Sequence, residues 1–134
     1  MATSEHNLVL ILARGLASSI ATPMFLVDPE GTLVYFNEPA EGILGQSYAE
    51  AGELTSDEWG TMFYPEDPET GAKLSSEELP LAVALSEQRP AHRTMAITGR
   101  DDVRRSIAVT AFPLFARTDE FVGAVAIFWE ESGA

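Results

Sequence analysis

"FLVDPEGTLVYFNEPAEGILG", residues 25–45, contains two apolar runs joined by a turn and followed by a capped helix. Met24 extends the first run to "MFLV", and "TLVYF" is the returning strand. In "DPEG", Pro29 presets φ at the second turn position and Gly31 accepts a positive φ at its end. Asn37 stands where a helix N-cap is expected, with Glu38 and Pro39 in the first turn, where a carboxylate and a missing N–H are both tolerated. The helix "EPAEGIL" stops near Gly45. The unit holds no Cys, no His and no nucleophile beside a base. Its well-placed punctuation therefore points to architecture rather than catalysis.

Outward from this unit, "NLVLILARGLASSI" (7–20) reads as a helix closed by Pro23, with Leu8, Leu12, Leu16 and Ile20 on one drifting stripe. Val9, Leu10 and Ile11 widen its apolar surface, which predicts two packing surfaces, the helix's own domain and a second subunit. Burial wholly against its own domain is the other reading. Residues 46–75 are irregular with short helices. Thr55 with Glu58 and Ser75 with Glu78 have capping-box spacing. "SSEELPLAVALSEQ" predicts a longer helix over 76–88, starting at Ser76 or Glu77 because Pro80 must lie early in it. "AHRTMAIT", "VRRSIAVTAFPLF" and "EFVGAVAIFWE", with turns "GRDD" and "ARTD", predict a three-stranded antiparallel meander.

The 134 residues suit one domain, and the 46% hydrophobic content suits a folded core. Twenty-one acidic and eight basic residues give a net charge of −13, which repels nucleic acid and anionic membrane and favours basic partners. From Asp28 to Glu78 there are thirteen carboxylates and one cation, Lys73, whereas Arg89 to Arg117 holds six arginines. The acidic stretch is either a solvated face or a docking surface. Absence of cysteine excludes disulfides and thiolate sites and fits a cytoplasmic location. The apolar run Leu8–Ala13 is too short for a membrane span and lacks the basic flank of a signal peptide.

Asp28–Gly31 and Asn37, then "TGAKLSSEELPLAVAL", then "RRSIAVTAFPLF…EFVGAVAIFWE" together resemble a PAS domain of the type common in bacterial sensor proteins. The resemblance covers about residues 18–130. It implies an α+β fold: a five-stranded antiparallel sheet in the order 2-1-5-4-3, helices over one face and an N-terminal helix on the other. The expected division is an N-terminal helix at 1–20, for dimerisation and sheet cover, and a single stand-alone PAS domain at 21–131. "WEESGA" stands where the family usually has Asp-Ile-Thr, which couples the last strand to an effector. By the resemblance, such domains sense ligands, redox state, gases or light and signal to a kinase, cyclase or transcription regulator, here on a separate chain.

Strand alternation places Met95, Ile97, Ile107, Val109, Ala111, Gly123, Val125 and Ile127 on one face, which the resemblance turns toward the helices. Two readings of the resulting cleft stay open. One is a filled core. The other is a site for a small apolar or aromatic ligand, with Trp59, Tyr64 or Tyr48 as polar anchors. The opposite face would carry Phe112, Val122, Ala124, Ala126 and Phe128 beside Thr94, Ala96, Ser106, Ala108 and Thr110, too apolar to stay wet. The 8–20 helix, completed by a two-fold partner, is its expected cover, making Leu8, Leu12, Leu16 and Ile20 interface residues.

Other chemistries find little footing. LOV-type flavin photochemistry, as the resemblance frames it, needs a Cys and a strand Gln; the chain has no Cys and Val125 stands at the Gln position. Haem in related sensors hangs on a His of the longer helix, but residues 76–88 have none; His92 begins a strand and His6 lies near the N-terminus. Glu77–Glu78 and Asp101–Asp102 are adjacent pairs suited to a helix start and a hairpin tip, not a metal. Neither His belongs to a nucleophile motif, and there is no phosphate-cradling loop. The expectation is a non-catalytic sensory or regulatory domain with no assigned cofactor or metal, an unidentified small ligand and homodimeric assembly. A ligand-free interaction module is the alternative, and a haem or flavin sensor the third reading.

Overall fold

The structure, a computed structural model, describes residues 2–61, 63–116 and 120–131; the side chains of 2–9, 56, 60 and 61 lie outside that description. Helix α1 (Ala2–Ala17) precedes strands β1 (Met24–Val27) and β2 (Leu33–Phe36). Helices α2 (Glu38–Leu44), α3 (Tyr48–Ala51) and α4 (Ser56–Thr61) follow, then a 3₁₀ turn (Ser76–Glu78) and α5 (Pro80–Glu87). Strands β3 (Ala91–Thr98), β4 (Arg104–Phe115) and β5 (Phe121–Glu130) complete the chain. The five strands form one antiparallel sheet in the order β2-β1-β5-β4-β3, as expected.

The β1–β2 turn is built as its residues dictate. Asp28 Oδ1 accepts from the Glu30 and Thr32 amides, both at 3.0 Å, and Gly31 takes φ +88°. Both sheet edges are covered by loop backbone. Leu33 pairs with Leu54 at the β2 edge, and Ala96 pairs with Glu66 at the β3 edge. This uses up donors and acceptors that would otherwise invite a foreign strand.

Two elements depart from expectation. Helix α1 stops at Ala17 rather than at residue 20, well before Pro23. Ser18 and Ser19 turn their hydroxyls back onto Gly15 O, and the Ala17 carbonyl is taken by the Asn37 side chain. The predicted 76–88 helix is broken at Leu79, which is extended (φ −75°, ψ 139°), because a residue preceding proline is pushed out of the α region. Pro80 then opens α5 at its first position. The "ARTD" turn falls largely on residues 117–119, outside the described residues.

The sheet has two apolar faces. One packs against α2–α5 through a large cluster that includes Phe36, Leu44, Trp59, Phe63, Leu81, Val109 and Phe128. The other meets α1 in a smaller cluster centred on Ala17, Met24, Leu26 and Val125, with Leu10, Ala13 and Ile20 against it.

Candidate functional site

A cavity of about 80 Å³ lies between the sheet and the helices. Met95, Ile97, Ile107 and Val109 of the meander line it, as do Phe25, Ala126 and Phe128. Leu44, Trp59, Phe63 and Leu81 close it from the helical side. Trp59 spends its only donor outside the cavity, on Gly31 O at 2.7 Å. No lining side chain therefore offers a free strong hydrogen-bonding group, so the space suits an apolar occupant. Its volume is about half that of the ~150 Å³ engineered apolar cavity that binds benzene.

Of the residues read as cleft-facing, the structure brings Met95, Ile97, Ile107, Val109 and Trp59 to the cavity. Ala111 is buried in the same core but does not line the space. Strand β5 is turned the other way. Val125 and Ile127 pack toward α1, and a Cβ added at Gly123 would sit 3.3 Å from Leu10 Cδ2. Ala124, Ala126 and Phe128, read as interface residues, face the helices instead. The reason is register: Val109 lies opposite Phe128 and Ala111 opposite Ala126, and directly paired residues share a face. A one-residue phase error in a strand apolar on both sides reverses every side chain.

Tyr64 is 64% exposed, away from the cavity, and has a positive φ of 50°. Tyr48 stacks edge-on against Phe36 and Tyr35. Burial, helped by Glu53 and opposed by Arg14, raises its pKa above 10.0. It lines an outer groove rather than the cavity. Phe25, Leu44 and Phe63 were missed. Only Leu44 carried a signal, as the last apolar residue before the Gly45 cap.

On the outer face Phe112 packs in the α1 cluster; Val122, also read as an interface residue, is fully buried and alternates in phase with Ala124, on the helix side of β5. Ile20 is half-buried against that cluster, whereas Leu12 and Leu16 are 64% and 60% exposed. The stripe that meets the sheet is Leu10, Ala13 and Ala17, not Leu8, Leu12 and Leu16; the Leu8 side chain lies outside the described residues.

Asn37 is the sole buried polar side chain among the described residues. Its Oδ1 accepts from Met24 N (3.0 Å) and Ala40 N (3.2 Å), and its Nδ2 donates to Ala17 O (2.9 Å) and Thr22 O (2.8 Å). It thereby caps α2, anchors β1 and ends α1 with one amide. Opposite Ile97 on the sheet, Arg105 donates to Ile43 O at 2.9 Å and pairs with Asp101 at 3.1 Å. Its hydrogen bond to Asp101 holds that carboxyl below its ordinary 3.8 and fastens the β3–β4 turn to the end of α2.

These residues do not fit a flavin or a haem. A flavin ring edge needs donors and acceptors, which the lining lacks, and Val125 points to α1. His92 is exposed on β3, where its Nδ1 lies 2.8 Å from Thr110 Oγ1, on the face away from the cavity. No cluster of His, Cys, Asp and Glu that could hold a metal occurs among the described residues. No described helix is long and apolar enough to cross a membrane.

A five-stranded 2-1-5-4-3 sheet with a helical cover and an apolar cleft defines a class of small α+β folds. A family model for the PAS domain matches residues 21–131, and the chain belongs to that family. Its members are in general sensory signalling modules and generally not enzymes. The fold is similar to that of the PAS domain of Bordetella pertussis BvgS (17% identity, TM-score 0.66, covering 92% of this chain and 87% of that one). It is also similar to the PAS domain of the fruit-fly ELK potassium channel (13%, 0.67, 90% and 94%). A third likeness is to the Rhodobacter sphaeroides LOV protein (15%, 0.68, 90% and 66%). No curated protein matches the chain.

Proposed function

We propose that this chain is a non-catalytic sensory domain that binds a small apolar or aromatic molecule in the cavity between sheet and helices. The observation that carries this reading is the apolar lining around a space of about 80 Å³. Dry apolar cavities take up apolar solutes because the lining regains dispersion contacts without losing hydrogen bonds. The working location is the cytoplasm, and the output passes to a kinase, cyclase or transcription regulator on another chain. Benzene is the direct probe. A ligand present at 100 times its Kd stabilises a domain by about 2.7 kcal/mol, so a clear rise in Tm is expected in wild type. Ala126→Leu, which fills the cavity from β5, should abolish that rise. A wild-type Tm unmoved by benzene supports instead an interaction module with a filled core.

The exposure of Leu12 and Leu16 favours a second element of the reading, a homodimer through α1 and the neighbouring outer sheet face. Successive helix residues turn by about 100°. Leu12 and Leu16 therefore fall on the flank of α1 opposite Ile11 and Arg14, which look over β2. Light scattering should give a dimer for wild type and a monomer for the Leu12→Glu/Leu16→Glu double variant. A monomeric wild type removes this part of the proposal.

A further inference from the structure

The other flank of α1 carries a different surface. An open groove of about 510 Å³ runs between α1 and the β1–β2 hairpin. Its floor is apolar, formed by Leu10, Leu26 and Val34, and Ile11 stands 64% exposed on its edge. Three carboxylates, those of Asp28, Glu30 and Glu53, belong to its lining. The one cation there, Arg14, sits over two aromatic rings, its Cζ 4.5 Å from the centre of Tyr35 and 5.7 Å from that of Tyr48. The tyrosine faces draw on its charge, so the lining is acidic on balance.

We propose that this groove docks an amphipathic helix with lysines or arginines along its polar edges, supplied by a partner protein. An apolar floor between charged edges is the form that receives such a helix. Charge complementarity selects its sign. Its three carboxylates come from the stretch Asp28 to Glu78, which holds thirteen carboxylates against Lys73, on a chain of net charge −13. That field steers a basic segment in and turns nucleic acid and anionic membrane away. A second copy of this chain is the poorer occupant, because it brings the same charge and its α1 offers only Arg14 as a basic residue.

The test uses a fluorescent leucine–lysine peptide of about 18 residues with helical amphipathic spacing. A peptide of the same composition, scrambled off the helical period, is its control. Anisotropy with the full chain should show the amphipathic peptide binding at least ~10-fold more tightly than the scrambled one, and weakening between about 0.05 and 0.5 M salt. Glu30→Lys/Glu53→Lys should weaken it at least ~10-fold, while Glu69→Lys/Glu131→Lys, on exposed acids elsewhere, should change it less than ~2-fold. Both acidic pairs lie on the surface, so both variants fold. Equal binding of the two peptides, or equal loss in the two variants, would mean general attraction to an acidic chain and would overturn the proposal. So would a wild-type dimer that Glu30→Lys/Glu53→Lys converts to monomer, since a second copy would then fill the groove. Hydrogen exchange should show peptide protection at residues 10–17, 26–35 and 48–53; protection centred on β3 and β4 places the peptide elsewhere and refutes it.

Discussion

Asn37 Nδ2 lies 2.9 Å from the carbonyl oxygen of Ala17, joining the last turn of α1 to the start of α2 across the edge of the sheet. The same side chain serves Met24, Thr22 and Ala40, so one amide fixes the relative placement of three elements.

Replacing Asn37 should therefore cost far more than a lost helix cap. Asn37→Ala strands the Met24 and Ala40 amides and the Thr22 carbonyl, and leaves Ala17 O only the Ile20 amide at 3.5 Å, around a side chain that is 0% exposed. Each such buried group costs about 1–3 kcal/mol, reduced where water can enter. A loss of roughly 3 kcal/mol in urea unfolding is expected. Asn37→Asp keeps the two acceptor contacts but sets a carboxylate against Ala17 O and Thr22 O. It should release the C-terminal turn of α1 specifically, seen as faster amide exchange at residues 14–20 with the α2 amides still protected. Uniform destabilisation with no local signal at α1 would contradict this linkage.

Gly123 is where β5 meets both Val27 of β1 and Leu10 of α1. Its φ of +143° favours glycine, and an added Cβ would run into the carbonyl oxygen of Val27. Gly123→Ala should destabilise by at least about 2 kcal/mol through strain and displaced backbone. Thermal unfolding reads this directly, and a change below about 0.5 kcal/mol would show that the strands part easily here.

The β5 phase has its own signature. Val125→Leu adds bulk under α1, and Ala126→Leu adds it to the cavity. Exchange at α1 should speed up in the first variant and stay unchanged in the second. The reverse pattern would restore the opposite facing of the strand.

Acid should loosen the β3–β4 turn. The hydrogen bond from Arg105 is the main cause of the lowered Asp101 pKa, followed by the Val103 amide. A carboxyl lowered in the folded state stabilises fully above its ordinary 3.8, and this is lost as pH falls through the lowered value. Asp67 and Glu78 act in the same direction, through the Thr70 and Ser75 amides first. Asp101→Asn should lower Tm at pH 7, and the wild-type and variant curves should converge in acid below the lowered pKa. Because Asp101 is part exposed, the gap will be modest. Parallel curves over the whole range would show that the pair contributes nothing measurable.

Much of the scaffold was legible because it rests on local rules. Asp28 and Gly31 declare a turn, Asn37 a cap and Gly45 a helix end, and these roles are played within four residues; the bonds of Asn37 to Ala17, Thr22 and Met24 are tertiary and carried no local signal. Strand order and the two-sided cover came through the resemblance to a known family, carried by Asp28–Gly31 and Asn37 together with the stretches "TGAKLSSEELPLAVAL" and "RRSIAVTAFPLF…EFVGAVAIFWE". The cavity was read only in part. Met95, Ile97, Ile107 and Val109 follow from alternation along β3 and β4, but Phe25 and Phe63 reach the space only through packing.

What the sequence alone determined is the set of turns, caps and alternating strands, since these depend on backbone preferences and nearest neighbours. Which side of β5 faces the cavity was decided only by tertiary structure. Gly123 to Phe128 is apolar on both faces, so alternation divides it into two sets without saying which set looks inward. The pairing of Val109 with Phe128, formed between strands distant in the chain, settles that choice. The same holds for α1, whose leucines are plentiful all round. Contact with Leu26 and Val125 selects Leu10, Ala13 and Ala17 as the buried stripe and leaves Leu12 and Leu16 facing outward.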